Sequence, residues 1–157
     1  MESLRDVMAL VGRILLALIF VYSGLGKIMH MGGLVSVTSA HFANAGIPSA
    51  LVYPGLYLSV VVELGGGLLM IAGLKARWAA LLIFLWLIPV TLVFHFADYH
   101  HAVQQNQTMA ALTQQTMYLK NIAMMGGLLV LAAMGPGGLS LDGWSSATGM
   151  NAARRAA

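Results

Sequence analysis

The chain alternates long apolar runs with shorter polar segments. Four such runs cover about residues 7–28, 52–73, 78–97 and 117–135. Each is close to the roughly 20 residues that a helix needs to cross about 30 Å of hydrocarbon. This pattern predicts an all-α fold, a polytopic membrane protein built as an antiparallel bundle of four transmembrane helices.

Composition strengthens this prediction and removes several functions. Hydrophobic residues make up 59% of the 157-residue chain and charged residues 8%, whereas about a quarter of a soluble protein is charged. The mean hydropathy is +0.83, so the predicted surroundings are a lipid bilayer. The net charge of +3 comes without a dense basic run, which argues against a nucleic-acid partner. Cysteine is absent, which excludes disulfides and thiolate-ligated metal or iron–sulfur centres.

The basic residues predict the orientation. If both termini are cytoplasmic, most of the basic residues near helix ends face the cytoplasm, in line with the positive-inside rule. These are Arg5, Lys75, Arg77, Arg154 and Arg155. The long segments 29–51 and 98–116 then lie outside. The first run is too long for a signal-peptide core and is interpreted as an uncleaved span.

Two segments outside the runs carry their own expectations. Residues 34–45 fit either a short surface helix, stopped at Gly46 and Pro48, or a loop. A membrane domain of residues 1–142 is expected to precede a flexible cytoplasmic tail of residues 143–157.

Glu63 is the most informative single residue, because it lies near the middle of the second run. A charged side chain at that depth costs at least ~2.5–3.5 kcal/mol on insertion scales, so Glu63 should face the bundle and be paired or protonated. Gly66 and Gly67 place it on a small-residue face. Arg13 is the predicted cationic partner, with Lys27 or Lys120 as the fallback. The alternative is an ion pair that only fixes helix packing.

A second polar group is predicted where three runs end. Lys27, His95 and Lys120 lie at similar heights, with Asn121 beside Lys120 and Asp98 one turn after His95. One interpretation is that these residues form a single polar layer. The alternative is that they are separate: the lysine side chains extend to the membrane interface, and His95 is an interfacial histidine that only makes hydrogen bonds. Pro89 should kink the helix that carries His95.

The remaining histidines of the stretch "VFHFADYHH" give a weaker signal. His100 and His101 are expected in a solvated, frayed helix end. The spacing of His95, Asp98, His100 and His101 allows only partial convergence on a metal ion, so no metal site is predicted.

Several stretches together resemble the DoxX family of small bacterial four-helix membrane proteins. They are "GRILLALIFVYSGLGKI", "AGIPSA", the stretch from "VELGGG" to "VFHF", and "LKNIAMMGGLLVLAAMGPGGLSLD", and the resemblance runs from about residue 8 to 142. It implies a bacterial inner-membrane protein linked to redox metabolism. Named relatives form the small-subunit part of a thiosulfate:quinone oxidoreductase or associate with oxidative-stress enzymes. The polar segment 98–116 is longer than the resemblance leads one to expect.

Three functions remain open at this point. In the first, the bundle binds a quinone as a subunit of a redox complex. The proton-handling residues would be Glu63, His95 and Asp98. The quinone-binding residues would be Arg13, Lys27, Lys120 and Asn121. In the second, the chain is a non-catalytic anchor or assembly subunit for a soluble partner. The third is a small-solute or proton pathway. Neither a catalytic role nor the oligomeric state, a homo-oligomer included, follows from the sequence.

Overall fold

The computed structural model describes residues 2–146 and 148, and this part of the chain is almost entirely helical. Four of its helices are long and apolar enough to span a membrane: α1 (Glu2–Met29), α3 (Ser49–Ala72), α4 (Ala76–Gln104) and α5 (Thr108–Met134). A shorter helix, α2 (Met31–Asn44), lies between the first two. The protein is therefore an all-α polytopic membrane protein, as the apolar runs predict.

The helices α4 and α5 extend well beyond their apolar runs. Only residues 105–107 separate them, and Asn106 makes the turn in the left-handed region at φ 55°. The expectation that His100 and His101 lie in a frayed, loop-like end is wrong, because both are inside the helical segment Ala97–Gln104. Their side chains are exposed. Helical backbone hydrogen bonds do not require apolar side chains, so hydropathy alone placed the end of α4 too early and the beginning of α5 too late.

Two spanning helices each contain one wide, π-type turn. In α3 it covers Val61–Gly65, and in α4 it covers Thr91–Phe96, directly after Pro89. The second turn lies where the sequence predicts a kink, since proline cannot donate its backbone hydrogen bond. Turns of this kind often occur at functional sites because they realign the side chains they carry.

The expectation of a helix for residues 34–45, as opposed to a loop, is confirmed, and the helix begins earlier, at Met31. It ends at Asn44, and Gly46 follows with φ 69°, a conformation that glycine adopts without strain. The helix packs mainly on α3, with smaller contacts to α1 and to the π-turn of α4, and its Thr38 is buried. The end of the bundle that carries α2 and the turn at residues 105–107 is called the α2 end below.

The core of the bundle is apolar and lies towards the opposite end. It includes Ala17 and Phe20 of α1, Val62 and Met70 of α3, and Ile83 of α4. Glycines bring the helices together: a Cβ on Gly24 of α1 would lie 2.7 Å from Cβ of Leu64. Such close approach provides dispersion contacts where the hydrophobic effect does not drive helices together.

The end opposite α2, called the terminal end, is closed by the chain that follows α5. The carboxylate of Asp142 accepts hydrogen bonds from the backbone N–H groups of Lys75 (2.9 Å) and Ala76 (3.1 Å), at the start of α4. Asp6 accepts one from Gly138 N–H (2.8 Å). Residues 141–146 are helical, so the tail expected to be flexible from residue 143 starts with ordered residues. Arg154 and Arg155 lie outside the described residues.

Candidate functional site

Glu63 lies in the π-turn of α3 and faces the interior of the bundle, with 5% of its surface exposed. The two glycines that follow it permit the close packing that the sequence predicts. A Cβ on Gly66 would lie 2.8 Å from Ile83 of α4, and one on Gly67 would lie 2.9 Å from Val21 of α1. The carboxylate is therefore held at a place where two neighbouring helices approach α3.

The cationic partner of Glu63 is Lys27. The Lys27 ammonium lies 2.5 Å from Oε2 of Glu63 and also donates to the Ser23 hydroxyl at 2.7 Å. Oε1 of Glu63 accepts hydrogen bonds from the Ser59 hydroxyl (2.8 Å) and from the indole N–H of Trp86 (3.4 Å). Both carboxylate oxygens are thus satisfied, which a buried charge requires.

The prediction that Arg13 pairs with Glu63 is wrong. The Arg13 guanidinium donates to the backbone carbonyl oxygens of Pro136 (2.6 Å), Leu139 (3.1 Å) and Ile71 (3.2 Å). Ile71 follows Glu63 by eight residues, about 12 Å along a helix, which puts Arg13 well below the carboxylate. The carbonyl groups at the end of α3 lack helical N–H donors, and a cation there also interacts favourably with the helix dipole.

A cavity of about 320 Å³ opens beside the Lys27–Glu63 pair and extends towards the α2 end. Most of its lining is apolar, and both π-turns contribute to it: Glu63 from α3, and Val93, Phe94 and His95 from α4. Helix α2 covers it with Leu34, Val37, Thr38 and Phe42. An apolar cavity of this size with a few convergent polar groups is typical of a small-molecule site.

His95 lies at the wall of this cavity and begins a chain of polar contacts. Its Nδ1 is 2.9 Å from Oε1 of Gln114, and Nε2 of Gln114 donates to Oδ2 of Asp98 at 3.4 Å. The other oxygen of Asp98 lies 3.3 Å from Nδ1 of His41 on α2. His95 and Asp98, which the sequence places one turn apart, are therefore linked through Gln114 of the next helix and not by a hydrogen bond to each other.

Lys120 and Asn121 do not join the cavity. The Lys120 side chain is exposed, and its ammonium contacts only the sulfur of Met117, at 3.6 Å, among the described side chains. Asn121 is buried and donates to the Thr91 hydroxyl at 3.0 Å, a contact between α5 and α4. Of the three residues of the predicted layer, Lys27 and His95 line the cavity, whereas the exposed Lys120 does not.

Four residues of the site were not predicted from the sequence: Ser59, Trp86, Gln114 and His41. Ser59 precedes Glu63 by one helical turn, so its position was open to prediction. Contacts between helices, such as those of Trp86 and Gln114, leave no mark in a single sequence. In the described part of the chain, no group of three or more His, Asp or Glu residues is placed to hold a metal ion.

Comparison with known proteins agrees with this architecture. The family model described as DoxX matches residues 8–96. This chain belongs to the DoxX family. It is 32% identical over 142 residues to the Escherichia coli inner membrane protein YqjF, covering 90% of this chain and 95% of that protein. It is 31% identical over 140 residues to the Escherichia coli inner membrane protein YphA, covering 88% and 90% of the two chains.

No solved structure matches the chain significantly. The matched family region begins in α1 and ends at Phe96, so it includes Lys27, Glu63 and His95. The polar residues that line the cavity therefore belong to the part of this DoxX protein that the family model describes. Gln114 and the turn at residues 105–107, which joins α4 to α5, lie beyond that region.

Proposed function

We propose that this DoxX protein binds a quinone headgroup in the cavity beside Lys27 and Glu63. The observation that carries the proposal is the cavity itself, because it combines an apolar lining with a cation–carboxylate pair on one side and His95 on the wall. A quinone has the same character, with an apolar ring and polar oxygen atoms. Lys27 would donate to one quinone oxygen, and Glu63 and His95, with Asp98 behind it, would handle protons.

The setting of this site is a bacterial inner membrane. Both relatives named above are inner membrane proteins, and four helices of this chain suit a span. With both termini in the cytoplasm, Lys75 and Arg77 obey the positive-inside rule and the cavity opens towards the outer leaflet. The electrons for quinone reduction would come from a separate redox partner protein, which makes the chain a quinone-interacting subunit of a redox complex.

Binding can be tested by quenching of Trp86 fluorescence, because Trp86 lines the cavity. Trp78 and Trp144 are exposed, and replacing both with Phe leaves Trp86 as the only indole. We expect a short-chain ubiquinone or menaquinone analogue to quench it saturably in detergent. Lys27→Met should weaken binding about ten- to hundredfold, as expected for the loss of a hydrogen bond from a charged group.

The control is the double variant His100→Ala/His101→Ala, in which two exposed histidines outside the cavity are removed. Its affinity should equal that of the parent. Quenching that does not saturate, or that survives Lys27→Met unchanged, would contradict a quinone site in this cavity.

The second candidate function, an anchor for a soluble partner, is favoured by the projecting hairpin of α4 and α5. Met109 at its tip is 77% exposed, and Leu112 one turn later is 52% exposed. A partner that co-purifies with the parent but not with Met109→Ser, while the quinone titration gives no saturation, would support docking instead. A solute pathway is not favoured, because an apolar core lies between Glu63 and the terminal end.

A further inference from the structure

The contacts of Gln114 determine which nitrogen of His95 carries the proton. The oxygen atoms of the Asp98 carboxylate only accept hydrogen bonds, so the Gln114 amide must present its NH₂ group to Asp98. The carbonyl oxygen of the same amide then faces His95, 2.9 Å from Nδ1. A carbonyl oxygen also only accepts, and Nδ1 of His95 must therefore be the donor.

His41 reinforces the direction of this chain. Its Nδ1 lies 3.3 Å from the second oxygen of Asp98, where it too must act as a donor. The ring of His41 also packs on Phe94, with ring centroids 4.7 Å apart, so it is held from two sides. Asp98 thus accepts from both α2 and α5, and the orientation of the Gln114 amide is fixed by a carboxylate that is itself held in place.

We infer that Gln114 is a positioning residue that selects the Nδ1–H tautomer for the neutral form of His95, so that Nε2 of this form is a hydrogen-bond acceptor for a hydroxyl-bearing ligand in the cavity. This inference rests on the proposed function and makes it more specific. An oxidised quinone has only acceptor oxygens and cannot donate to Nε2. A quinol donates through its hydroxyl group, so the cavity should bind the reduced form more tightly.

Nuclear magnetic resonance of the full chain, labelled with nitrogen-15 at histidine, tests the tautomer without any ligand. The ring-nitrogen shifts distinguish Nδ1–H from Nε2–H, and His95→Ala identifies the His95 signals among the five histidines. We expect Nδ1–H in the unmodified protein. A predominant Nε2–H form would overturn the inference, and this measurement needs no variant of Gln114.

Gln114→Leu removes both hydrogen-bonding groups, and His95 should then shift towards Nε2–H. Gln114→Met, which keeps the length of the side chain, replaces it if the leucine variant does not fold. Gln115→Leu is the matched control, because the neighbouring glutamine has no side-chain hydrogen bond among the described residues. A tautomer that stays unchanged in the Gln114 variants would contradict a positioning role.

Anaerobic titration of Trp86 fluorescence with a short-chain ubiquinol and the matching ubiquinone tests the ligand class. The unmodified protein should prefer the quinol by about two- to tenfold, the value of one hydrogen bond, and Gln114→Leu should remove most of that preference. Tighter binding of the quinone would overturn the inference while leaving the proposed function intact. Failure of both forms to bind would refute the proposed function and the ligand class, whatever tautomer is found.

Discussion

The pairing of Lys27 with Glu63 makes a quantitative prediction for Lys27→Met. The change removes the ammonium group but keeps a long side chain. The side chain of Glu63 is 6% exposed, and the carboxylate left behind retains only the Ser59 hydroxyl and the more distant Trp86 indole as donors. Removing one partner of a buried pair costs about 3–5 kcal/mol. We expect the free energy of unfolding to fall by about that amount.

The reciprocal change should cost less. Glu63→Gln keeps an oxygen that can accept from Ser59, and it leaves a lysine that is 21% exposed and lies two residues before the end of α1. That ammonium can turn towards water, so the loss is about 1.5–3 kcal/mol, the value of a hydrogen bond to a charged group. The double variant should be more stable than Lys27→Met alone, because no uncompensated carboxylate remains.

The assay is unfolding in mild detergent with increasing dodecyl sulfate, followed by circular dichroism at matched protein concentration. Free energies of the four proteins form a double-mutant cycle, which isolates the interaction between the two side chains. Lys120→Met is the matched control, because the same change at an exposed lysine should stay within about 0.5 kcal/mol of the parent. Strictly additive effects of Lys27→Met and Glu63→Gln would refute the buried pair.

Three further predictions concern packing and topology. Gly24→Ala should destabilise the fold by about 1–3 kcal/mol, since its Cβ would lie 2.7 Å from Leu64, whereas Gly12→Ala, with nothing within 4 Å, should be neutral or slightly stabilising in the same unfolding assay. Arg13→Lys, which cannot reach three separate carbonyl groups, should speed limited proteolysis after α5. Gln107→Cys in this cysteine-free chain should react with an impermeant maleimide from the periplasmic side only; cytoplasmic labelling would reverse the topology.

The sequence predicted the number of spanning helices because an apolar run of about 20 residues has few other structures available. It did not predict where α4 ends. Hydropathy falls at Ala97, yet the helix continues to Gln104, since polar residues such as His100 and Gln104 are compatible with helical hydrogen bonding. Hydropathy indicates which residues lie in the hydrocarbon of the membrane, but it does not indicate how far a helix continues beyond the membrane into water.

The candidate site was predictable where a polar residue interrupts an apolar run. Glu63 stands out in this way, because the cost of burying a charge demands a partner, whereas Lys27 was only the fallback choice for that partner. Gln114 lies in the polar segment 98–116, and His41 lies outside the four apolar runs, so burial in the membrane does not demand a partner for either residue. Their role follows from how three helices meet, and this information is absent from a single sequence without its fold.

The choice between Arg13 and Lys27 shows why similar charges on one helix serve different purposes. Arg13 donates to three backbone carbonyl groups at the terminal end, and the planar guanidinium can reach all three at once. These acceptors belong to the backbone of the folded protein, so a ligand does not replace them. Lys27 meets one carboxylate and one hydroxyl beside an open cavity. A ligand oxygen can compete for one of its three N–H donors without disrupting the fold. These contacts support the proposal of ligand binding at Lys27 and a structural role for Arg13.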